Sequence, residues 1–149
     1  MIGELSKREI DEVFSNGYIG RIGCRDGDRI YIVPVNYIYE YDAVLCQSYE
    51  GQKVAVMRKS PEVCFEVEEL HSFFHWKTVI GWGTFQELST PEDIKYASAQ
   101  LSDVMLAQKA SVSQPPPAES GETHEGTQAT IVYYRILFEK LSGRYEQVV

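Results

Sequence analysis

Positive charge is scarce in this chain. There are 14 Lys and Arg against 22 Asp and Glu in 149 residues, a formal net charge of -8. A general phosphate-backbone binder needs an extended basic surface. Nucleic acid is therefore not an expected partner, although ten tyrosines could offer stacking surfaces. One local anion site stays open. Cysteine is sparse too: Cys24, Cys46 and Cys64 are odd in number, and no C-x-x-C occurs. That speaks against clustered zinc ligands and fits free thiols in a reducing cytoplasm. No apolar run reaches the roughly 18 residues of a spanning helix, and "MIGELSKREIDEV" is too polar for a secretory signal. The expectation is a cytoplasmic protein without a membrane partner. The G-x-S-x-G of a nucleophile elbow is missing, so a hydrolase is unsupported. Gly17, Gly20 and Gly23 of "GYIGRIG" have the wrong spacing for a dinucleotide fingerprint and lie in a strand pattern. His71 and His75 stand four apart, a metal-holding spacing on a helix. Their flanks read as strand and loop and no third ligand is evident, so no metal site is expected.

What is present suits one domain, residues 1–149, able to bury its own core. The hydrophobic content of 44% and charged content of 24% are ordinary for a globular protein. "LSKREIDEVFSNG" reads as a helix, with Ser6 and Glu9 as a capping box and Ile10, Val13 and Phe14 as its apolar face. Strand signals follow: "YIGRIGC", a turn around Asp26-Gly27, "RIYIVPVNYIYE", a turn at Tyr41-Asp42, then "AVLCQS". A short basic helix over 51–59 stops before Pro61. "EVCFEVEE" alternates as a strand, and "HSFFH" connects it to "WKTVIGWGTFQEL". In that last strand, Gly81 and Gly83 suggest a bulge or a close backbone approach. Thr90 and Pro91 open the longest helix, with Ile94, Ala97, Leu101, Val104 and Met105 at helical spacing. Residues 109–128 are a polar, Pro/Gly-rich stretch that reads as a flexible loop. "ATIVYYRILFEKLSGRYEQ" closes the pattern as one or two strands with a turn near Ser142-Gly143. About six strands and three helices, mostly joined by short turns, predict an α+β protein built on a mainly antiparallel, closed or split barrel.

The basic helix is the functional clue. In "EGQKVAVMRKSP", Lys53, Arg58 and Lys59 face a single acid, Glu50, just after Gly51. A glycine leading into a helix leaves unpaired N–H groups and a positive dipole end, and such an end binds phosphate. Gln52 and Lys53 stand in the first turn, able to donate to the same anion. Upstream, Gln47 and Ser48 end a strand. Pro34, inside "IVPVN", marks an edge or irregular ladder position that frees neighbouring backbone groups for a flat polar ring. A phosphate and a ring together describe flavin mononucleotide (FMN).

The ordered set from "GRIGCRDGDRIYIVPVNYIYEYDAVLCQSYEGQKVAVMRKSPEVCFEVEE" to "WKTVIGWGTFQEL" resembles the pyridoxamine 5'-phosphate oxidase-like flavin-binding split barrels, nearest the nitroimidazole-resistance-protein branch. The pattern spans residues 17–88, and "YRILFEKLSGR" resembles that branch's closing strand. The resemblance implies a six-stranded split barrel with flanking helices, a homodimer, and FMN in a cleft at the interface. It places Val33, Pro34, Val35 and Asn36 beside the ring and ribityl chain, and Gln47 and Ser48 at a flavin-contacting strand end. Gly51, Gln52 and Lys53 match the phosphate segment, and Lys77 and Thr78 match a strand position that hydrogen-bonds the ring. Two departures stand out: Gln52 occupies a position where relatives commonly carry arginine, and Gln47 one where many carry histidine. The implied activity is FMN-dependent oxidoreduction of a small molecule. A flavin or haem carrier or sensor without turnover is the alternative, since related barrels can bind haem or a deazaflavin.

Overall fold

Residues 1–110 and 130–148 are described by the computed structural model of the chain. The elements are β1 (Ile2–Glu4), α1 (Lys7–Asn16), β2 (Ile19–Asp26), β3 (Arg29–Glu40), β4 (Ala43–Tyr49), α2 (Gln52–Lys59), β5 (Glu62–Ser72), β6 (His75–Glu87), α3 (Pro91–Ala110) and β7 (Ile131–Gln147). Six strands close a ring in the order β7-β4-β3-β2-β5-β6 and back to β7, while β1 adds to β7. Every pairing is antiparallel. The fold is α+β, a split barrel flanked by helices. Two seams are short. β2 meets β5 from Arg21↔Glu66 to Gly23↔Cys64, and β3 meets β4 only from Tyr37↔Cys46 to Glu40↔Ala43.

Local chemistry sets the element ends. The Ser6 Oγ accepts from the Glu9 N–H at 3.3 Å while the Glu9 carboxylate accepts from the Ser6 N–H at 2.7 Å. That reciprocal pair starts α1 and turns Ile10, Val13 and Phe14 inward. Gly27 takes φ +61° in the β2–β3 turn, a conformation that costs a residue without Cβ little. The Asp93 N–H donates to Thr90 Oγ1 at 3.2 Å at the start of α3. β6 shifts register between Trp82 and Gly83, and a Cβ at Gly83 would overlap the Leu137 carbonyl oxygen. The glycine is there for close strand approach, as its pattern suggests.

Three expectations need amendment. The three-residue β1 is an addition, since the sequence shows no strand signal there. The chain from Ile131 to Gln147 is one unbroken strand, so no turn forms at Ser142-Gly143. Gly143 makes room instead: a Cβ there would lie 2.8 Å from both Leu5 Cβ and Ile10 Cγ1. Of the segment 109–128, residues 109 and 110 belong to α3, and the remainder lies outside the described residues.

Phe14, Ile22, Val44, Phe65, Tyr134 and Ile136 have no exposed surface and form the centre of the core. Phe14 stacks on Tyr39 with centroids 4.6 Å apart, and meets Tyr37 edge-on at 6.3 Å. Burying such a side chain contributes about 1.5–3 kcal/mol. A satellite cluster of Leu45, Ala97 and Leu101 holds α3. Only those two residues of the helix stripe are buried, and Ile94 and Val104 remain exposed. The helix therefore rests lightly on the barrel and carries Met105 over the end of β4.

Candidate functional site

Proline has no N–H to give a sheet ladder, and the sheet is open beside Pro34. It pairs with Arg21 on one side, but β3 joins β4 only from Tyr37 onward. The wedge left between the two strands is a cavity of about 720 Å³, within the roughly 300–1,000 Å³ of small-molecule sites. Pro34, Val35 and Asn36 line it from β3, Gln47 and Ser48 from β4, and Gly51 and Lys53 from the start of α2. The sequence pattern thus brings seven residues of its expected site around one cavity.

The other four do not line it. Val33 turns into the core, and Gln52 is exposed on the helix. Lys77 and Thr78 lie on β6, separated from β3 by β2 and β5. As strand neighbours they point to opposite faces. Thr78 Oγ1 donates to Glu66 at 3.1 Å on the outer face, where Arg21 also reaches Glu66 and Glu68. Lys77 acts on Glu9 of α1, whose carboxyl is held below its usual range by Ser6 hydrogen bonds first and by Lys77 last. One flavin in this cavity cannot meet both side chains.

Sequence reasoning misses Ile19, Tyr49, Glu50, Met105 and Ile131, which complete the lining. Met105 falls in a helical apolar stripe and reads as core. Ile19 and Ile131 are 49% and 43% exposed, which strand alternation alone does not reveal.

Lys53 dominates the electrostatics. Its Nζ donates to the Pro34 carbonyl at 3.2 Å, and among the described residues it forms no ion pair. Burial pushes its pKa below the ordinary lysine value, with the Cys46 thiol as a small opposing influence. A half-buried cation without a carboxylate partner favours an incoming anion. Glu50, the acid beside it, is committed elsewhere. Both its oxygens accept from Arg58, whose Nε also donates to Glu87 at 2.6 Å. That pairing, first through the hydrogen bond and then through the charge, holds the Glu50 carboxyl below its usual range. Arg58 is thus paired with two acids at the far end of the basic helix.

Gly51 caps α2 with extended backbone and no side-chain hydrogen bond. A Cβ there would meet nothing nearer than the Tyr49 carbonyl oxygen at 3.8 Å. The packing therefore does not require glycine, and the bare backbone leaves the first-turn N–H groups accessible to a ligand. At the other end of the cavity, Gln47 Nε2 donates to Met105 Sδ at 3.5 Å. Ser48 Oγ and the buried Tyr134 hydroxyl share a 2.8 Å hydrogen bond. Cys46, just behind, is fully buried, and desolvation holds its thiol well above the usual range, so it supplies no thiolate. The donor set suits a phosphate at one end and a flat, hydrogen-bonding ring along Pro34 and the apolar lining.

Comparison with known proteins gives a consistent result. The family model described as pyridoxamine 5'-phosphate oxidase matches residues 6–145. An uncharacterized protein of Rhizobium meliloti (strain 1021) is 36% identical over 84 residues, which are 56% of this chain and 56% of that protein. The match thus spans little more than half of that relative. A crystal structure described as an FAD-binding protein from Mesorhizobium loti superposes with a TM-score of 0.77 at 27% identity, covering 99% of each chain. A Bacteroides thetaiotaomicron structure, assigned provisionally to 5-nitroimidazole antibiotic resistance, has a TM-score of 0.68 at 13% identity, covering 97% of this chain and 87% of its own. This last likeness is one of fold alone.

Proposed function

The chain belongs to the pyridoxamine 5'-phosphate oxidase family, and from that premise we propose that it is a flavoprotein that binds FMN and acts as an oxidoreductase on a small molecule. The observation that carries this reading is the corner at Gly51 and Lys53, where a half-buried ammonium with no ion pair among the described residues stands beside open helix N–H groups. A phosphate dianion placed there gains the lysine charge and the helix end together. Gln52 stands exposed where an arginine would add charge, so the corner holds one cation. A corner with one cation suits one terminal phosphate, as in FMN. Asn36 and Gln47 offer carboxamides to the polar edge of the ring, and Pro34, Ile19 and Met105 shield its faces.

Bound there, the flavin supplies hydride or electron transfer through its ring. The chain's own residues hold, orient and exclude water. No side chain around the cavity needs to serve as acid or base for that transfer. The molecule works as a cytoplasmic homodimer and a single flavin-binding domain. Ile30 and Ile32 of β3 and Trp82 of β6 are 78%, 65% and 41% exposed, apolar surface that a second copy would cover. Thr78 then meets a flavin only from the partner's side.

The test is the absorption spectrum of the purified protein, followed by release and identification of the chromophore. Flavin bands with FMN released support the proposal. FAD would correct the cofactor, and a Soret band without flavin would overturn it in favour of a haem carrier. Oxidation of a reduced nicotinamide with an added electron acceptor then separates an enzyme from a carrier without turnover.

A further inference from the structure

The β5–β6 hairpin tip carries a second constellation, away from the cavity. Leu70 pairs with Trp76 and Ser72 with His75, so β5 spends one residue more than β6 across this step. His71 is the extra residue. A bulge of this kind re-aims the side chain it carries. Here it brings the His71 ring beside that of His75, with centroids 4.6 Å apart and planes inclined by 31°. The tip is pinned by the Phe74 N–H donating to Ser72 Oγ at 3.2 Å, and the neighbouring Trp76 by its Nε1 donating to Glu146 at 3.0 Å. The helical spacing that first draws attention to these histidines is thus not what unites them.

We propose that His71 and His75 form a two-imidazole chelate for one divalent late transition-metal ion of tetragonal or octahedral preference, such as nickel or copper. Metal–nitrogen bonds of about 2.0–2.1 Å put the ion about 3.2 Å from each ring centre. Two ligands at right angles then have ring centres about 4.5 Å apart, whereas a tetrahedral angle requires about 5.2 Å. At 4.6 Å both rings can turn a nitrogen toward one ion at close to a right angle, the ligand angle of tetragonal copper(II) and nickel(II) sites. Both rings are exposed, so water can fill the other positions. Among the described residues no group of three or more His, Cys, Asp or Glu surrounds an ion, so the site holds its metal by two protein ligands and exchanges it readily. The net charge of -8 raises the local concentration of cations.

The experiment titrates nickel chloride and copper chloride into the purified protein carrying His124→Ala, which removes the chain's remaining histidine. Calorimetry gives stoichiometry and affinity, Trp76 fluorescence reports occupancy beside His75, and copper paramagnetic resonance counts nitrogen ligands. Expected are one ion per chain, a two-nitrogen copper signal, and a loss of about ten-fold or more in affinity for His71→Ala and for His75→Ala separately. Phe73→Ala, at the same tip, should bind as the parent does. An unchanged far-ultraviolet circular dichroism spectrum certifies folding of each variant. Binding weaker than about 1 mM, a single-nitrogen signal, or equal affinity in either histidine variant overturns the proposal.

Discussion

Replacing Lys53 with alanine removes the charge on which the flavin reading rests. A lysine ammonium has three donors, and one of them holds the Pro34 carbonyl at 3.2 Å. The other two are available to a phosphate. A hydrogen bond to a charged group contributes about 1.5–3 kcal/mol, and about 1.4 kcal/mol corresponds to a decade. Lys53→Ala should therefore weaken FMN about 10- to 100-fold. The upper part of that range is expected because burial disfavours the free ammonium and no carboxylate among the described residues pairs with it. Lys59→Ala, at the exposed end of α2, should change little. Riboflavin, lacking the phosphate, should bind the parent weakly and lose little more in the variant. The sign of the pH dependence follows from the same shift. The free lysine titrates below its ordinary 10.5, and a bound dianion raises it again. FMN affinity is then full below the free-state pKa and falls as pH rises through it, earlier than an ordinary lysine would cause. Riboflavin should show no such fall. Fluorescence-quench titrations of both ligands against both proteins, from neutral to alkaline pH, measure all of this. Equal FMN affinity in the parent and Lys53→Ala would place the phosphate elsewhere and leave Gly51-Lys53 as a helix start only.

Two further outcomes are open to measurement. Gly83→Ala drives a methyl group into the Leu137 carbonyl oxygen, which belongs to backbone and cannot swing away. A loss of at least about 1–3 kcal/mol is expected in denaturant unfolding, and a variant as stable as the parent would mean that β6 and β7 can separate there at no cost. Sedimentation of the flavin-loaded protein should give about twice the 17.0 kDa chain mass, and Ile32→Arg should shift it toward the monomer. A parent monomer that still holds flavin at micromolar concentration would refute the dimer.

Much of this architecture can be read from local chemistry because each signal has one physical meaning. Ser6 with Glu9, and Gly27 in its turn, each fix a local geometry. Pro34 is legible for the same reason: a residue that cannot donate must stand where the ladder lacks a partner, and that is where the cavity opens. Gly143 is not legible. A glycine needed for a turn and one needed to let Leu5 and Ile10 approach look alike in sequence, and only the packing separates them. Lys77 and Thr78 lie away from this chain's cavity for a different reason. A family position names a place on a strand, whereas alternation sends consecutive side chains to opposite faces. Met105 hides because a helical apolar stripe does not say which of its members reach the core and which overhang a cavity.

β7 is the last strand of the ring to be made, and it closes it. It pairs with β4 from Ala43↔Leu137 to Tyr49↔Ile131, with β6 from His75↔Gln147 to Glu87↔Tyr134, and with β1 through Ile2↔Glu146. Nearly all of those partners precede it by many tens of residues. During synthesis, β4 and β6 emerge with one edge each unsatisfied and wait for the strand that will bridge them. Such edges invite pairing with other chains, and contacts so distant in sequence form slowly. The nascent chain is consequently most vulnerable to aggregation in the interval between the exit of β6 and that of β7. A chaperone that binds exposed strand edges would have its greatest effect on yield in that interval, and little once β7 has closed the ring.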